Sequence, residues 1–208
     1  MYKELAHNAH NDSSRDAPDE DGLYLMAEPR AGYFTTAEAA AAGYSRSLLA
    51  HHARAGMLER VDHGIYRLRR FPESAHADVV IAWLRAGERA AVSHESALSL
   101  YDLSDVLPGE VHVTVSRSAS RRRAGIRLHT GALGPSDTTD LDGVRVTTVE
   151  RTLADVARSG LADELVVQAA QEAIGRGLTT ETRLEAAAAR YGGRTRRLIA
   201  AALNSSGS

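Results

Sequence analysis

The sequence predicts an α+β fold, with a small helix-and-hairpin module followed by a mixed α+β domain and a helical tail. Three observations carry that prediction. Two capped helical stretches and two short apolar strands succeed one another between residues 35 and 68. Apolar and polar residues then alternate at Val111, Val113 and Val115, at Ile126 and Leu128, and at Val144 and Val146, the period of half-buried strands. From residue 151 onward, apolar residues recur at helical spacing between glycines at 175, 177, 192 and 193.

Residues 1–21 are polar, acidic and aperiodic, and read as a disordered tail. Leu23 to Ala27 reads as a short helix stopped by Pro29 and Gly32. Thr35 and Glu38 have the spacing of a capping box, in which the threonine oxygen accepts the N3 amide and the glutamate reaches back to the cap. The alanine-rich helix they open ends at Gly43. Ser45 caps the next helix, Arg46 to Ala55, which ends at Gly56. Met57 to Val61 and Ile65 to Leu68 are expected as strands around the turn Asp62-His63-Gly64. This succession over residues 22–70 is the outline of a winged helix-turn-helix. Projected at helical period, Ser45, Leu48, Leu49, His52 and Gly56 share the inner face of the third helix. Ser47, Ala50, His51 and Arg54 share the outer one, with Arg46 at its margin. A small, polar, partly cationic face suits a DNA groove or a protein surface, and the pattern leaves both open.

Past the linker Arg70-Phe-Pro-Glu73, residues 75–208 form the expected second domain. Val79, Val80, Trp83 and Ala86 repeat at helical spacing, with Trp83 as a core anchor. Ser93 reads as the cap of a helix holding Ala97, Leu98 and Leu100. Thr147 and Glu150 have the spacing of a second capping box, before the helix Arg151 to Arg158. Leu161 to Ile174, Thr179 to Arg190 and Arg194 to Leu203 make the helical tail, 161–203.

Composition narrows the function. The 208 residues contain no cysteine, which excludes disulfides, thiol nucleophiles and cysteine-ligated metals. Among 25 basic residues the only lysine is Lys3, so a P-loop, the strand lysine of the usual kinase fold and Schiff-base chemistry have no candidate. No apolar run approaches the roughly 18 residues of a membrane span, and the first residues lack the apolar core of a signal peptide. The chain is expected to be cytoplasmic and to have no membrane partner. A formal charge of −2 excludes nucleic-acid binding by bulk charge, so any such binding needs a local patch. Residues 31–71, with six arginines against three acidic residues, are the positive block.

Arg117, Arg121, Arg122, Arg123 and Arg127 form the densest cationic cluster in the chain. Such guanidiniums repel unless they are solvated or face an anion, and both arrangements fit. If the flanking strands pair as a hairpin, His112, Thr114, Arg127 and His129 share a polar face leading into that loop. His94-Glu95 begins the zinc motif His-Glu-x-x-His, but Leu98 stands where its second histidine belongs. Gly43-Tyr-Ser45-Arg-Ser47 lacks the last glycine of a nucleophile elbow. The residues therefore assign no catalytic group and no metal.

Gly32-Tyr-Phe-Thr-Thr-Ala37, Gly64-Ile-Tyr-Arg-Leu68, Ser93-His-Glu-Ser-Ala-Leu98, Pro108 with Val111-His-Val-Thr-Val115, and Gly143-Val-Arg-Val-Thr-Thr-Val-Glu-Arg-Thr-Leu-Ala-Asp155 occur in the order seen in AbiEi-type antitoxins. The chain resembles that family over residues 30–160 and more loosely into the tail. In its arginine- and alanine-rich composition it is most similar to mycobacterial-type members. AbiEi proteins are antitoxins of type IV systems and pair with AbiEii toxins of the nucleotidyltransferase fold. The resemblance implies a winged helix that binds its own operator and a second domain needed for antitoxicity. The DNA side would then be Arg46, Ser47, His51 and Arg54 of the third helix with Arg60, His63, Arg67 and Arg69 of the wing. A homodimer on DNA would need half-sites about 34–36 Å apart or a multiple. Arg117, Arg121, Arg122, Arg123, Arg127, His112 and His129 would form a toxin- or phosphate-binding patch.

The expected function is therefore a DNA-binding antitoxin that neutralises a nucleotidyltransferase-type toxin and represses its own operon, without a cofactor. Two alternatives stand beside it. One is an enzyme that modifies the toxin covalently, an atypical serine/threonine phosphotransferase with arginines on ATP phosphates and Asp137, Asp140 and Asp142 on Mg²⁺. The other is an inhibitor that acts by protein binding alone.

Overall fold

The computed structural model describes residues 17–104, 108–115 and 124–205. The N-terminal module is built from α1 (Glu20–Ala27), β1 (Tyr33–Thr35), α2 (Thr36–Ala41), α3 (Arg46–Arg54), β2 (Leu58–Asp62) and β3 (Ile65–Leu68). Its antiparallel sheet runs β1-β3-β2. This is the winged helix-turn-helix that the sequence predicts. Two of its details differ from expectation. Residues 1–16 of the expected tail lie outside the described residues, but Glu20 and Asp21 form the first turn of α1, where Asp19 accepts the Gly22 amide at 2.8 Å. An acidic first turn complements the helix dipole, so the same acidity suits a tail or a helix start. Strand β1 is too short to show a period; its pairing with β3, Tyr33 opposite Arg67, makes it a strand.

The capping chemistry fixes α2 and α3. Thr35 Oγ1 accepts the Glu38 amide at 3.2 Å, while Glu38 Oε2 accepts the Thr35 amide at 2.7 Å. Ser45 Oγ accepts the Leu48 amide at 3.2 Å. Phe34, Leu23, Leu49 and Leu58 close a small core beneath them.

The rest of the described chain, the expected second domain, contains α4 (Ala77–Ala86), β4 (Ala91–Val92), α5 (His94–Leu100), β5 (Val111–Val115), β6 (Ile126–Thr130), β7 (Thr138–Leu141) and β8 (Val144–Thr147). Helices α6 (Val149–Ser159), α7 (Asp163–Gly175), α8 (Glu181–Tyr191) and α9 (Gly193–Ser205) follow. Its mixed sheet runs β6-β5-β4-β8-β7. The expected hairpin of β5 and β6 is corrected: the strands are parallel, with His112 beside Arg127 and Thr114 beside His129. Alternation fixes which face a residue takes, not the direction of the strand, so the pattern is compatible with either pairing. Helices α4, α5 and α6 bury Trp83, Leu98, Leu153 and Val156 in one core with Val92, Val113 and Val146.

The second expected capping box is corrected as well. Thr148, not Thr147, caps α6 by accepting the Arg151 amide at 3.4 Å. Thr147 is buried and its hydroxyl meets that of Thr152 at 2.6 Å. Glu150 turns to Thr179 and Arg183. Two consecutive threonines present the same spacing signal one residue apart.

The two modules share a core, since Tyr33 and Ile65 pack in the same apolar cluster as α4. Arg30, 5% exposed, donates to Glu38 Oε1 at 2.8 Å and lies 5.7 Å from the Trp83 ring centroid. At the β7–β8 turn, a Cβ on Gly143 would stand 2.9 Å from Pro29 and Arg30, so glycine lets the turn seat against them. Arg85 of α4 also meets Asp62 of β2 at 3.1 Å.

Inside the second domain, Asp137 is the main polar tie. It is 2% exposed and accepts from Arg190 at 2.7 and 3.2 Å, Tyr191 at 3.1 Å, Arg151 at 3.3 Å and the Gly134 amide at 2.8 Å. Burial alone would raise its pKa, but the Gly134 amide, Arg190, Tyr191 and Arg151 outweigh it and hold the carboxyl below the usual aspartate range. Asp137→Asn is expected to lower the unfolding free energy by about 2–3 kcal/mol, because it leaves half-buried Arg151 without one of its two carboxylates while exposed Arg190 is screened by solvent. A folded pKa below the unfolded one means this stabilisation is complete above about pH 5 and is lost as pH falls through the folded value, so urea titrations should show a shallower acid limb in the variant.

Candidate nucleic-acid interface

Helix α3 presents its outer face to solvent as projected. Arg46, Ser47, Ala50, His51 and Arg54 are exposed, while Leu49 is buried and Leu48 and His52 are half-buried. His52 meets the buried Tyr44 ring edge-on at 5.8 Å, which accounts for it as a packing residue. Ser47 Oγ lies 2.9 Å from Ser45 Oγ at the start of the helix, and Arg54 Nε reaches back to the Ala50 carbonyl at 3.3 Å. The wing adds exposed Arg60, His63 and Arg69. Among the described residues no carboxylate pairs with Arg46, Arg54, Arg60 or Arg69. Four uncompensated guanidiniums on one helix and its adjoining hairpin form a cationic surface in a chain of negative net charge.

Arg67 departs from the expectation that it belongs to this surface. It is 7% exposed, donates to the carbonyls of Phe71 at 2.7 Å and Pro72 at 2.6 Å, and lies over Tyr33 at 5.5 Å. The signal was present in the sequence: Arg67 is two residues from Ile65 in β3 and therefore shares its inward face.

The expected arginine-loop patch is only partly described. Arg117, Arg121, Arg122 and Arg123 lie outside the described residues. Arg127 is exposed on edge strand β6. His112 is buried rather than surface-forming, with Nδ1 2.5 Å from Glu95 Oε2. Burial raises the pKa of Glu95, yet the His112 hydrogen bond and its own amide hold it at about 2. His129 is half-buried and stacks on His94, centroids 3.5 Å apart.

His94 was not singled out for a binding role by the sequence. It has φ 54°, is 8% exposed, and its Nδ1 lies 3.0 Å from Ser93 Oγ. Ser93 in turn accepts from Thr114 at 2.8 Å and makes no capping bond to α5, so the expected cap role of its hydroxyl is corrected. Burial, reinforced by His129, pushes His94 down to about 3. Burial, with His112 and Arg127, pushes His129 down to about 4. Both rings are neutral at physiological pH. They line a cleft of about 590 Å³ with Arg151, Asp155, Arg158 and Arg190.

The aspartates considered for Mg²⁺ do not converge. Asp137 is consumed by its arginines, and Asp140 accepts the Gly143 amide in the β7–β8 turn that also contains Asp142. That turn lies at the sheet edge opposite Arg127. Among the described residues, no three histidine or carboxylate groups are arranged to hold a metal ion. No described helix is long and apolar enough to cross a membrane.

Residues 26–69 match the family described as "Transcriptional regulator, AbiEi antitoxin". That span runs from the end of α1 through the wing, so the AbiEi resemblance is shown over the winged helix. The chain is similar in structure to the RV2827C protein from Mycobacterium tuberculosis, with a TM-score of 0.53 and 15% identity over 89% of this chain and 76% of that one. At that identity the likeness is one of fold. No curated protein matches the sequence.

Two outcomes follow from this geometry. Arg67→Gln, which removes a buried guanidinium from the carbonyls of Phe71 and Pro72, should lower stability by about 2 kcal/mol in urea unfolding, with the exposed guanidiniums left in place. His94 and His129 have folded pKa values below the unfolded one, so the unfolded chain takes up their protons first and stability falls as pH drops below about 6.5. His129→Gln should reduce that slope between about pH 6 and 5 by up to about 1.4 kcal/mol per pH unit.

Proposed function

We propose that the chain is an autoregulating antitoxin that binds DNA upstream of its own gene through α3 and the wing, and neutralises a nucleotidyltransferase-type toxin with its second domain. The observation that carries this reading is the coincidence of the AbiEi match, residues 26–69, with the four uncompensated arginines of the same span. Exposed, unpaired guanidiniums release counterions when they meet phosphates, whereas paired ones must first give up a carboxylate. The narrow outer face of α3, with Ser47, Ala50 and His51 between Arg46 and Arg54, lets the helix approach a major groove closely. His63, at the tip of the wing, adds a polar donor beside Arg60 and Arg69.

In this reading the two activities belong to different modules, and neutralisation needs no nucleotide or metal. Fluorescence anisotropy against the upstream duplex should give a salt slope near −3 to −4, about 0.9 per phosphate contact. Arg54→Gln or Arg60→Gln should flatten it by about 0.9, and Arg67→Gln should not. Equal affinity for upstream and unrelated duplexes, with slopes unchanged in every variant, would remove the DNA-binding assignment. In cells, Arg54→Gln combined with Arg60→Gln should abolish repression and keep toxin neutralisation. Intact mass of the toxin should be unchanged after incubation with this chain, with or without ATP and Mg²⁺. A gain of one phosphate would establish the covalent alternative instead.

A further inference from the structure

The DNA-binding reading makes no use of the cleft in the second domain, whose chemistry has no structural explanation of its own. His94 adopts a left-handed backbone, which is uncommon for a residue other than glycine and costs on the order of 1 kcal/mol or more. That conformation places its ring on His129 at 3.5 Å. Beyond Ser93 at Nδ1, no protein group meets the other ring nitrogen of His94 among the described residues. His129 Nε2 is buried and has no hydrogen-bond partner among the described residues. Buried ring nitrogens are ordinarily satisfied, so His129 is left incomplete among the described residues.

The surroundings indicate what would complete it. Arg151 is held by Asp155 at 2.8 Å and by Asp137, and Arg190 by Asp137. Arg158, exposed at the cleft, has no carboxylate within 4.0 Å among the described residues. Three guanidiniums therefore face two carboxylates, both already engaged by Arg151 or Arg190. The Arg190 and Arg151 guanidiniums lie over the Tyr191 ring, 5.0 and 5.6 Å from its centroid, at the same wall.

We propose that this cleft binds a phosphate-type dianion carried on a molecule of mononucleotide size, with Arg158 as its direct contact and the His94–His129 pair taking up one proton on binding. Arginine suits phosphate because its planar fork gives paired N–H donors. The volume of about 590 Å³ is larger than a bare phosphate requires and falls among small-molecule sites. Stacked at 3.5 Å, the two rings accommodate one added positive charge and not two. The groups facing them fix the sign. His112 and Arg127 on the sheet and Arg151 on α6 oppose protonation, while Glu95 on α5 favours it. Asp155 is committed to Arg151. A bound dianion adds the missing negative charge and tips the balance toward one imidazolium.

The test uses the full, isotope-labelled chain near neutral pH. Inorganic phosphate, AMP and adenosine are each titrated to millimolar concentration while the histidine Cε1–Hε1 resonances are followed by NMR. Saturable shifts of His94 or His129 toward the protonated position are expected with the anions and not with adenosine. Arg158→Gln, an exposed and unpaired position, should weaken binding about tenfold. Calorimetry in buffers of different ionisation heat should read uptake of up to one proton, reduced in His94→Asn, which retains a residue tolerant of the left-handed backbone. AMP binding tighter than phosphate assigns the site to a phosphorylated nucleoside, and equal affinity assigns it to phosphate itself. No saturable shift with either anion, equal binding of adenosine, or binding indifferent to Arg158→Gln would overturn the proposal.

Discussion

The arrangement of the whole molecule depends on one buried cation. Arg30 ends the first turn of chain after α1, and its guanidinium lies out of water between Glu38 and the Trp83 ring. A buried charge of this kind is tolerable only when it is paired and hydrogen-bonded, and the carboxylate that pairs it is the same one that closes the capping box at Thr35. The start of α2 is therefore tied to α4 through two side chains. Because α2 leads through a short turn into α3, the exposed arginine face is oriented by the second domain and is not carried on a free linker.

A chain that uses arginine almost exclusively divides those residues by environment. Arg30, Arg67 and Arg151 are buried or half-buried and spend their planar forks on carboxylates and carbonyls, for which the rigid geometry of guanidinium is well suited. Arg46, Arg54, Arg60 and Arg69 make no ion pair among the described residues and remain hydrated. Charge counting alone cannot make that division. The same residue type is structural mortar in one position and an available anion contact in another; burial and the presence of a carboxylate partner separate the two, since exposed Arg190 is still held by Asp137.

Much of the fold was legible in the sequence because its signals are local. The Thr35–Glu38 box, the Ser45 cap, the Asp62-His63-Gly64 turn and the apolar alternation of β5, β6 and β8 each act within a few residues. What was not legible depends on partners distant in the chain. The parallel sense of β5 and β6, the existence of β1, and the burial of Arg67 beneath Phe71 and Pro72 are set by pairing and packing. The outer face of α3 was legible from helical period. The His94–His129 stack was not, because no spacing rule connects a helix start to an edge strand 35 residues away; the one local trace is the polar alternation of His112, Thr114, Arg127 and His129.

The central claim is that DNA is met by α3 and the wing while the second domain stays out of the contact. Amide chemical-shift mapping of the full chain with its upstream duplex tests this most directly. The account predicts perturbations concentrated in residues 45–54 and 58–69, with His94, His129 and Arg158 unmoved. Perturbations centred on the histidine cleft, with α3 silent, would contradict it.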